Sequence, residues 1–509
     1  MLFHTWVFAV FFLIVYPVHL ATRQTRLKLP WLLFASYVFY GWWNPLYLLL
    51  ILTSTSADYL AVEGMSRIER LREWLVEFSA RCRLRVETLR TSGSLWKRAR
   101  AALFSAYHHL VVRALWLGQW KKTWVAFSVL VNLGMLGFFK YAGFVTRSLN
   151  DLFTTLGIPY AVPAPDILLP VGISFFVFQS MTYTIDCYRG EMDEEPNFIR
   201  YATYVSLFPQ LVAGPIERST NLLRQLRETP KITRHDIADG LSLFLVGLFK
   251  KRALADYLAM YVDPAYTRPD QADGLTLLLA TVAFGWQIYF DFAGYTDMAR
   301  GLGRMMGIRL MLNFNNPYLA TGLGDFWRRW HISLSTWFRD YVYLPLGGSR
   351  KGEVRTYVNM ALTMLISGLW HGANWTFVIW GGLHALGRVA TRRLEATRFY
   401  VERIPTAVKR LLVFAFVTFA WIFFRARTVG DAWLIVRRIF GSAWADPRFP
   451  LLALGLLAAV WAYQWVYESR LRGVLLGSSP VRIALAVFMA LYIAFCCGAA
   501  DKAFIYFQF

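Results

Sequence analysis

The sequence predicts an all-α fold, a polytopic transmembrane helical bundle with short, broken and interfacial helices around a central histidine. Of its 509 residues 57% are hydrophobic, the mean hydropathy is +0.39, and about a dozen apolar segments recur along the chain. A soluble chain of this length would divide into several domains, whereas a helix bundle in lipid can grow without dividing. We therefore expect one integral-membrane domain, residues 1–509.

The charge of the chain fits a membrane protein better than a nucleic-acid-binding one. There are 54 Lys and Arg residues against 32 Asp and Glu, a net charge of +22. Cytoplasmic loops of membrane proteins are rich in Lys and Arg, so we attribute the excess to topology and expect contact with membrane lipid and not with nucleic acid. The four cysteines form no CxxC pair, which indicates neither a metal site nor a disulfide framework.

The first third of the chain predicts a retained span at residues 3–20, followed by a run that Asn44-Pro45 should break into two short helices. The next segment, Glu63 to Lys122, holds 13 basic and 5 acidic residues. Apolar residues recur there at spacings of three and four among the arginines, as in helices that lie on an anionic leaflet. We predict a basic, cytoplasmic helical-hairpin insertion on the membrane surface; a docking site for a partner is the alternative.

Ten further apolar segments predict the remaining helices, and some are too short to cross a bilayer. They are residues 123–139, 167–187, 201–212, 237–260, 275–295, 357–370, 375–390, 407–424, 450–465 and 483–497. No internal repeat is visible, which disfavours a two-halved transporter. Loops rich in Lys and Arg are predicted to lie in the cytoplasm, although Arg425 and Arg427 would then lie near the outer interface.

His331 is the first of two candidate catalytic histidines. The pattern around it predicts one interfacial helix that begins near Gly324 and ends before Pro345, with the imidazole facing aromatic and hydroxyl neighbours. A structural histidine held by a hydroxyl or a carbonyl is the alternative.

His371 is the stronger candidate because of the length of its segment. Residues 357–390 would extend about 51 Å as one helix, which is too long for one straight crossing and short for two. Two short helices that meet at residues 371–374 would fit, with the junction inside the membrane beside protein or water. A neutral imidazole at that depth suits general-base chemistry; a buried structural role is the alternative. We interpret His384, on the following helix, as a packing residue.

No Walker loop, HExxH or GxSxG motif occurs, but two histidine patterns resemble a known family. WHISLSTWFRDYVYLPLGG is followed, 40 residues after its histidine, by SGLWHGANWTFVIWGGLH. Together they resemble the membrane-bound O-acyltransferase (MBOAT) family, in the bacterial branch that acetylates polysaccharides such as alginate, peptidoglycan and cellulose. The resemblance extends to GWWNP at 41–45, LPVGISFFVFQSMTYTIDCYRG at 169–190, FPQLVAGPIER at 208–218, FDFAGYTDMARGLGRMMGI at 290–308 and FIYFQF at 504–509.

The resemblance implies a fold, a donor and roles for single residues. His371 matches the principal catalytic histidine of the family and His331 its second histidine motif. The implied fold is a helical bundle thinned at its centre, where a cytoplasmic donor entrance meets an outer acceptor funnel. The implied donor substrate is acetyl-CoA, with no bound cofactor or metal, and the implied partner is an extracytoplasmic polysaccharide acetyltransferase. Related D-alanylation systems carry a motif like FIYFQF on a small separate membrane protein, which makes Tyr506 a candidate acyl carrier; interfacial anchoring of the tail is the alternative.

The adenosine phosphates of such a donor require positive charge at the cytoplasmic mouth. The basic residues nearest the first histidine motif are the candidates, although a solvated basic face is the alternative. They are Arg328, Arg329, Arg339, Arg350 and Lys351.

The predicted function is that of a multi-pass O-acetyltransferase of the bacterial inner membrane. It would pass acetyl from cytoplasmic acetyl-CoA to extracytoplasmic polysaccharide hydroxyls, with an alginate-type exopolysaccharide favoured. Acetylation of peptidoglycan or cellulose and D-alanyl transfer from a carrier protein are alternatives within the enzyme class. A transporter or export scaffold whose buried histidines relay protons is the alternative from another class.

Overall fold

The computed structural model describes residues 1–88, 95–442, 447–475, 477–498 and 504–505, and these ranges contain helices and no β-strand. The helices are α1 (Trp6–Thr22), α2 (Lys28–Gly41), α3 (Leu48–Thr88), α4 (Leu95–Leu136), α5 (Ala142–Thr155), α6 (Ile173–Arg189), α7 (Phe198–Ser206), α8 (Phe208–Leu211), α9 (Ser219–Arg227), α10 (Arg234–Phe249), α11 (Asp256–Thr267), α12 (Gly274–Met305), α13 (Leu323–Arg329), α14 (Ile332–Phe338), α15 (Glu353–His371), α16 (Trp375–Leu394), α17 (Thr406–Arg425), α18 (Val429–Gly441), α19 (Leu451–Glu468), α20 (Arg472–Leu475) and α21 (Ser479–Cys496).

Six helices within the described ranges are long and apolar enough to cross a membrane. They are Pro45–Cys82, Gln119–Thr155, Gly274–Met305, Thr406–Arg425, Leu451–Glu468 and Ser479–Cys496. The other helices are shorter or more polar, and many of them are buried between the spans. The prediction of an all-α, polytopic membrane bundle is therefore confirmed.

The predicted break at Asn44-Pro45 is present. Helix α2 ends at Gly41, and a single 3₁₀ turn, Pro45–Tyr47, leads into α3. The Asn44 side chain accepts a hydrogen bond of 3.0 Å from the Leu46 amide and so caps the new helix. The first residue of a helix has no helical partner for its amide, so a proline can occupy that position, and the new helix begins at Pro45.

The two helices predicted within Glu63–Lys122 are present as the basic parts of α3 and α4. Helix α3 has 41 residues and α4 has 42, so each is about 60 Å long, twice the hydrocarbon thickness. Each helix is continuous from its apolar to its basic part, and the position of the basic parts on the membrane surface stays a prediction. Gly64 permits close packing, since a Cβ there would lie 2.4 Å from the Trp124 ring.

A buried carboxylate joins α3, α4 and α6. The Asp58 side chain is fully buried and accepts hydrogen bonds from the hydroxyls of Ser128 and Ser180. The Asn132 amide also donates to it, at 2.9 Å, and the Thr184 hydroxyl at 3.2 Å. Because a buried charge is costly unless it is satisfied, this network fixes α4 against α6.

Helix α12 forms the centre of the bundle and is buried along most of its length. It is crossed by the π-helical segment Lys250–Ala255. Lys250 pairs with Asp297 at 2.6 Å, and Lys251 pairs with Asp291 at 2.8 Å. These charges lie deep in the protein, where pairing offsets their desolvation.

The single interfacial helix predicted around His331 is wrong. Helix α13 ends at Arg329 and α14 begins at Ile332, with His331 between them in the left-handed region at φ 42° and ψ 57°. The turn is held by the preceding extended segment, because the Asn315 amide donates to the Arg329 carbonyl and the Ile332 amide to the Asn313 carbonyl, both at 2.9 Å. Tertiary hydrogen bonds here override a continuous helical pattern.

Candidate active site at the end of helix α15

Helices α15 and α16 meet at the junction that the sequence predicts. Helix α15 ends at His371, Gly372 is extended, and α16 begins at Trp375. The Asn374 side chain accepts from the Thr376 amide at 3.2 Å and caps α16. Two helices of 19 and 20 residues therefore replace one long crossing, and His371 is the last residue of the first. Each is about 30 Å long and not short as predicted, because the helices extend beyond residues 357–390 to Glu353 and Leu394.

Glycines bring α15 and α16 into backbone contact. A Cβ at Gly368 would lie 2.3 Å from the Phe377 carbonyl oxygen, and one at Gly381 would lie 2.5 Å from the Met364 carbonyl oxygen. Helices in lipid associate through such small residues because lipid supplies no hydrophobic drive between them. The close contact fixes the direction in which the end of α15 points.

The His371 imidazole lies in an aromatic enclosure and is 4% exposed. Its ring centre is 5.0 Å from that of Trp370, 5.1 Å from that of Trp380 and 5.2 Å from that of Phe424. These rings restrict water around the imidazole, which strengthens electrostatic interactions within the site.

His331 is brought to the same site, although the sequence placed it at an interface. Its side chain is fully buried, with its ring 4.6 Å from that of Phe292 and 6.2 Å from that of Trp370. Trp370 therefore contacts both imidazoles. Within the described ranges neither ring nitrogen of His331 makes a hydrogen bond to another residue.

One cavity, which we call the Ser367 cavity, runs along α15 and stops one helical turn before His371. Its volume is about 460 Å³ and its wall is mainly apolar. The lining includes Trp327, Leu334, Phe338, Met360, Met364 and Ser367, together with Arg328, Arg339, Arg388 and Arg392.

A second cavity, which we call the Asn374 cavity, opens at the other side of the junction. Its volume is about 590 Å³ and its wall is more polar; it is lined by residues 372–374 and by Lys140, Arg147, Arg425 and Arg427. A narrow cleft shares Lys140 and Leu169 with it and extends to Trp370 and His371. In the chain, His371 thus lies between Ser367, which lines the first cavity, and residues 372–374, which line the second.

The structure separates the five basic donor-binding candidates. Arg328 and Arg339 line the Ser367 cavity. Arg329 lies elsewhere and pairs with Asp325 at 3.0 Å and Glu468 at 2.6 Å. Arg350 and Lys351 are exposed and do not line that cavity.

Sequence reasoning missed four residues of the site. Arg388 and Arg392 reach the Ser367 cavity from α16, and their spacing of four residues on one helix could have indicated them. Lys140 and Tyr141 approach the end of α15: Lys140 Nζ donates to the Trp370 carbonyl at 2.6 Å, and the Tyr141 hydroxyl donates to the Leu369 carbonyl at 2.8 Å. Lys140 could have been found from the sequence, because it follows the apolar segment 123–139 directly and a lysine at such a place is a functional candidate.

His384 and Tyr506 are the remaining residues that the sequence analysis singled out. His384 is fully buried, with its ring 4.8 Å from that of Trp380 and 5.0 Å from that of Trp327, an aromatic environment in keeping with a packing role. Tyr506 lies outside the described residues. Its neighbours Phe504 and Ile505 are described and buried.

The chemistry open to such an arrangement is general-base chemistry. A buried neutral imidazole can take the proton of a hydroxyl that attacks an acyl carbon, and an aromatic enclosure restricts competing water. The two cavities leave space for small molecules near both ends of the α15–α16 junction.

Comparisons with known proteins identify the family of the chain. Residues 156–429 match the membrane-bound O-acyltransferase family. The chain is 39% identical over 410 residues to the protein named Probable alginate O-acetylase AlgI of Pseudomonas aeruginosa, covering 80% of this chain and 69% of that one. It is 44% identical over 326 residues to the Azotobacter vinelandii protein of the same name, covering 63% of this chain and 64% of that one.

A third relative is named for a different activity. The Peptidoglycan O-acetyltransferase of Helicobacter pylori is 34% identical over 370 residues, which cover 67% of this chain and 68% of that one. The alignments thus span 64% to 69% of the length of these three relatives. Taken with the two histidines at the centre of an all-helical membrane bundle, these matches show that the chain belongs to the membrane-bound O-acyltransferase family.

Proposed function

We propose that this protein is an O-acetyltransferase of the bacterial inner membrane that passes acetyl from cytoplasmic acetyl-CoA towards extracytoplasmic polysaccharide hydroxyls. The observation that carries the proposal is the position of His371 between the Ser367 and Asn374 cavities. The names of the relatives support acetylation of a polysaccharide.

In the proposed reaction His371 is the general base. It takes the proton of the attacking hydroxyl while that oxygen bonds to the thioester carbonyl carbon. The C–S bond then breaks, and CoA leaves as a thiolate that takes up a proton. His331 is the proposed assisting residue, since its ring and that of His371 both neighbour the Trp370 indole.

The donor is proposed to enter by the Ser367 cavity. Its mainly apolar wall suits the acyl and pantetheine parts of CoA, and Arg328 and Arg392 at its rim suit the phosphates. The adjoining ends of α15 and α16 are rich in arginine, which favours the cytoplasmic side. Arg339 is a further candidate, whereas Arg329, Arg350 and Lys351 have less support from their positions.

The acceptor is proposed to approach by the Asn374 cavity, and an alginate-type polymer is favoured. Four cationic side chains line this cavity, and within the described residues no Asp or Glu lines it. Such a cavity suits a carboxylate-bearing polymer or the partner transferase that delivers acetyl to it. Peptidoglycan and cellulose acetylation are alternatives, as is D-alanyl transfer from a carrier protein.

The first experiment gives labelled acetyl-CoA to the purified protein. We expect hydrolysis or transfer that depends on His371 and that His371→Ala abolishes. Donor binding without turnover, unchanged in His371→Ala, would instead favour the export scaffold. In cells that lack the native gene, we expect the wild type to restore O-acetyl groups on the extracted exopolysaccharide; their appearance on peptidoglycan instead would reassign the acceptor.

Tyr506 is proposed as an acyl carrier on the outer side. Its phenol oxygen would receive acetyl as the thioester C–S bond breaks, and would pass it to the extracytoplasmic partner. The contacts of its two described neighbours support the proposal: the Ile505 amide donates to Asp291 at 2.7 Å, and the Phe504 ring lies 5.7 Å from that of Phe292, a neighbour of His331.

The carrier hypothesis has its own test. Tyr506→Phe should abolish polymer acetylation in cells while the purified variant still hydrolyses acetyl-CoA. Tyr492→Phe, on α21, is the matched control and should behave as wild type. Full acetylation in cells carrying Tyr506→Phe would contradict the hypothesis.

A further inference from the structure

The π-helical segment Gly137–Tyr141 packs its last two side chains against the end of α15. It interrupts the long apolar helix Gln119–Thr155, in which a regular α-helix would satisfy its own backbone at lower cost. Such π-segments are frequent at functional sites. Here the extra residue in the turn directs both Lys140 and Tyr141 to the same target.

That target is the group of carbonyls that a helix leaves unsatisfied at its C-terminus. The Gly368 carbonyl of α15 accepts the Gly372 amide at 3.4 Å. The Leu369 carbonyl accepts the Tyr141 hydroxyl at 2.8 Å, and Lys140 Nζ donates to the carbonyls of Trp370 at 2.6 Å and His371 at 3.2 Å. All four terminal carbonyls are therefore satisfied, three of them by the π-segment.

The ammonium group of Lys140 has no donor left for a ligand. It carries three protons, and its third contact is the Ser174 hydroxyl at 3.4 Å. Its positive charge also lies at the negative end of the α15 dipole, where a cation is stabilising. Lys140 thus acts on the helix end that carries His371 and not directly on a bound molecule.

We propose that Lys140 and Tyr141 form a clamp that holds the last turn of α15 and thereby sets the position of the His371 imidazole for acyl transfer. His371 is the final residue of its helix, and the chain beyond it is extended. No following helical turn supports its backbone, so the clamp replaces that support. The inference rests on the proposed function, because the imidazole is positioned for that reaction.

The experiment compares the purified full-length wild type with Lys140→Met, Lys140→Arg and Tyr141→Phe. Lys140→Met keeps an unbranched chain but removes the charge and all three donors. We expect kcat for labelled acetyl-CoA to fall about 100-fold with KM within about twofold, since a small misplacement of a catalytic group has an effect of this order. Lys140→Arg should restore part of kcat. Tyr141→Phe, which loses one hydrogen bond, should lower kcat about fivefold.

A second measurement does not need turnover. Diethyl pyrocarbonate modifies imidazoles, and the rate at His371, followed by mass spectrometry, should rise in Lys140→Met and Tyr141→Phe when the helix end is released. Lys231→Met, at an exposed position, is the matched control and should leave both readouts unchanged. Thermal unfolding in detergent establishes that each variant is folded.

The outcomes separate the clamp from the proposed function. Wild-type kcat and wild-type modification rates in folded Lys140→Met and Tyr141→Phe would overturn the clamp. A rise in KM equal to the loss in kcat/KM would also overturn it, because that would indicate donor binding. Absence of turnover by the wild type would contradict the proposed function, and the modification rates would then decide on the clamp alone.

Discussion

The Ser367 and Asn374 cavities have the same charge and different walls. Each is lined by four cationic side chains, and within the described residues neither is lined by Asp or Glu. The wall of the Ser367 cavity is mainly apolar, whereas that of the Asn374 cavity is more polar. Positive charge alone therefore does not distinguish a donor route from an acceptor route in this bundle. The polarity of the cavity wall is the property that distinguishes them.

Among the described residues, four of the eight cations that line the two cavities are already paired with a carboxylate or with carbonyls. In the Ser367 cavity Arg388 pairs with Glu395 at 2.8 Å, and in the Asn374 cavity Arg425 pairs with Asp263 at 3.1 Å. Others are also satisfied, Arg339 by Asp340 and Lys140 by helix carbonyls. Within the described ranges, four of the lining arginines pair with no carboxylate: Arg328 and Arg392 in the first cavity, and Arg147 and Arg427 in the second.

The largest expected effect is at the residue between the cavities. His371→Ala should lower kcat for acetyl-CoA hydrolysis by about 10² to 10⁴, the usual contribution of a general base, and leave donor KM little changed. His235→Ala, at an exposed position on α10, is the matched control. Turnover at the wild-type rate in His371→Ala would place the chemistry elsewhere.

Arginine substitutions test which cavity receives the donor. Arg328→Gln with Arg392→Gln should raise KM for acetyl-CoA about tenfold, equivalent to about 1.4 kcal/mol of binding, because charge-assisted contacts to phosphate are lost. Arg147→Gln with Arg427→Gln should leave that KM unchanged. The measurement is the steady-state KM at two salt concentrations, and the reverse result would exchange the two routes.

A substitution at the α15–α16 contact should affect the Ser367 cavity through packing. Gly381→Ala places a methyl group against the Met364 carbonyl and should destabilise the protein by about 1–3 kcal/mol, with a higher donor KM because Met364 lines that cavity. Gly382→Ala is the control, since its methyl group would have its nearest neighbour at 3.9 Å. Thermal unfolding in detergent measures the first effect. Equal stability of the two variants would contradict the prediction.

The smallest expected effect is at Arg329. Its guanidinium is committed to Asp325 and Glu468, so Arg329→Gln should change the KM for acetyl-CoA less than twofold. Unfolding is the separate readout, because the substitution removes the cation of Asp325 and the nearer of the two cations of Glu468, which keeps Arg410 at 4.0 Å. A tenfold rise in KM would show that the arginine leaves these partners to bind the donor.

The local patterns of the sequence predicted much of the scaffold. Pro45 pushes the preceding Asn44 out of the helical region, and the length of residues 357–390 excludes one straight crossing, so the break at Asn44 and the junction at His371 followed from chain geometry. The patterns failed where contacts between residues distant in the sequence determine the local structure. Periodicity could not show that Asn313 and Asn315 would hold His331 in a left-handed turn between two helices.

The sequence by itself determined an all-helical membrane bundle with a broken helix pair at His371, because composition, hydrophobic length and helix breakers act locally. The tertiary structure decided which charges face which cavity and how the end of α15 is held. Arg328 and Arg329 are neighbours in sequence, yet one lines the Ser367 cavity and the other is neutralised by Glu468, 139 residues away. Lys140 reaches the Trp370 carbonyl across 230 residues, and such contacts depend on the packing of helices and not on any local pattern.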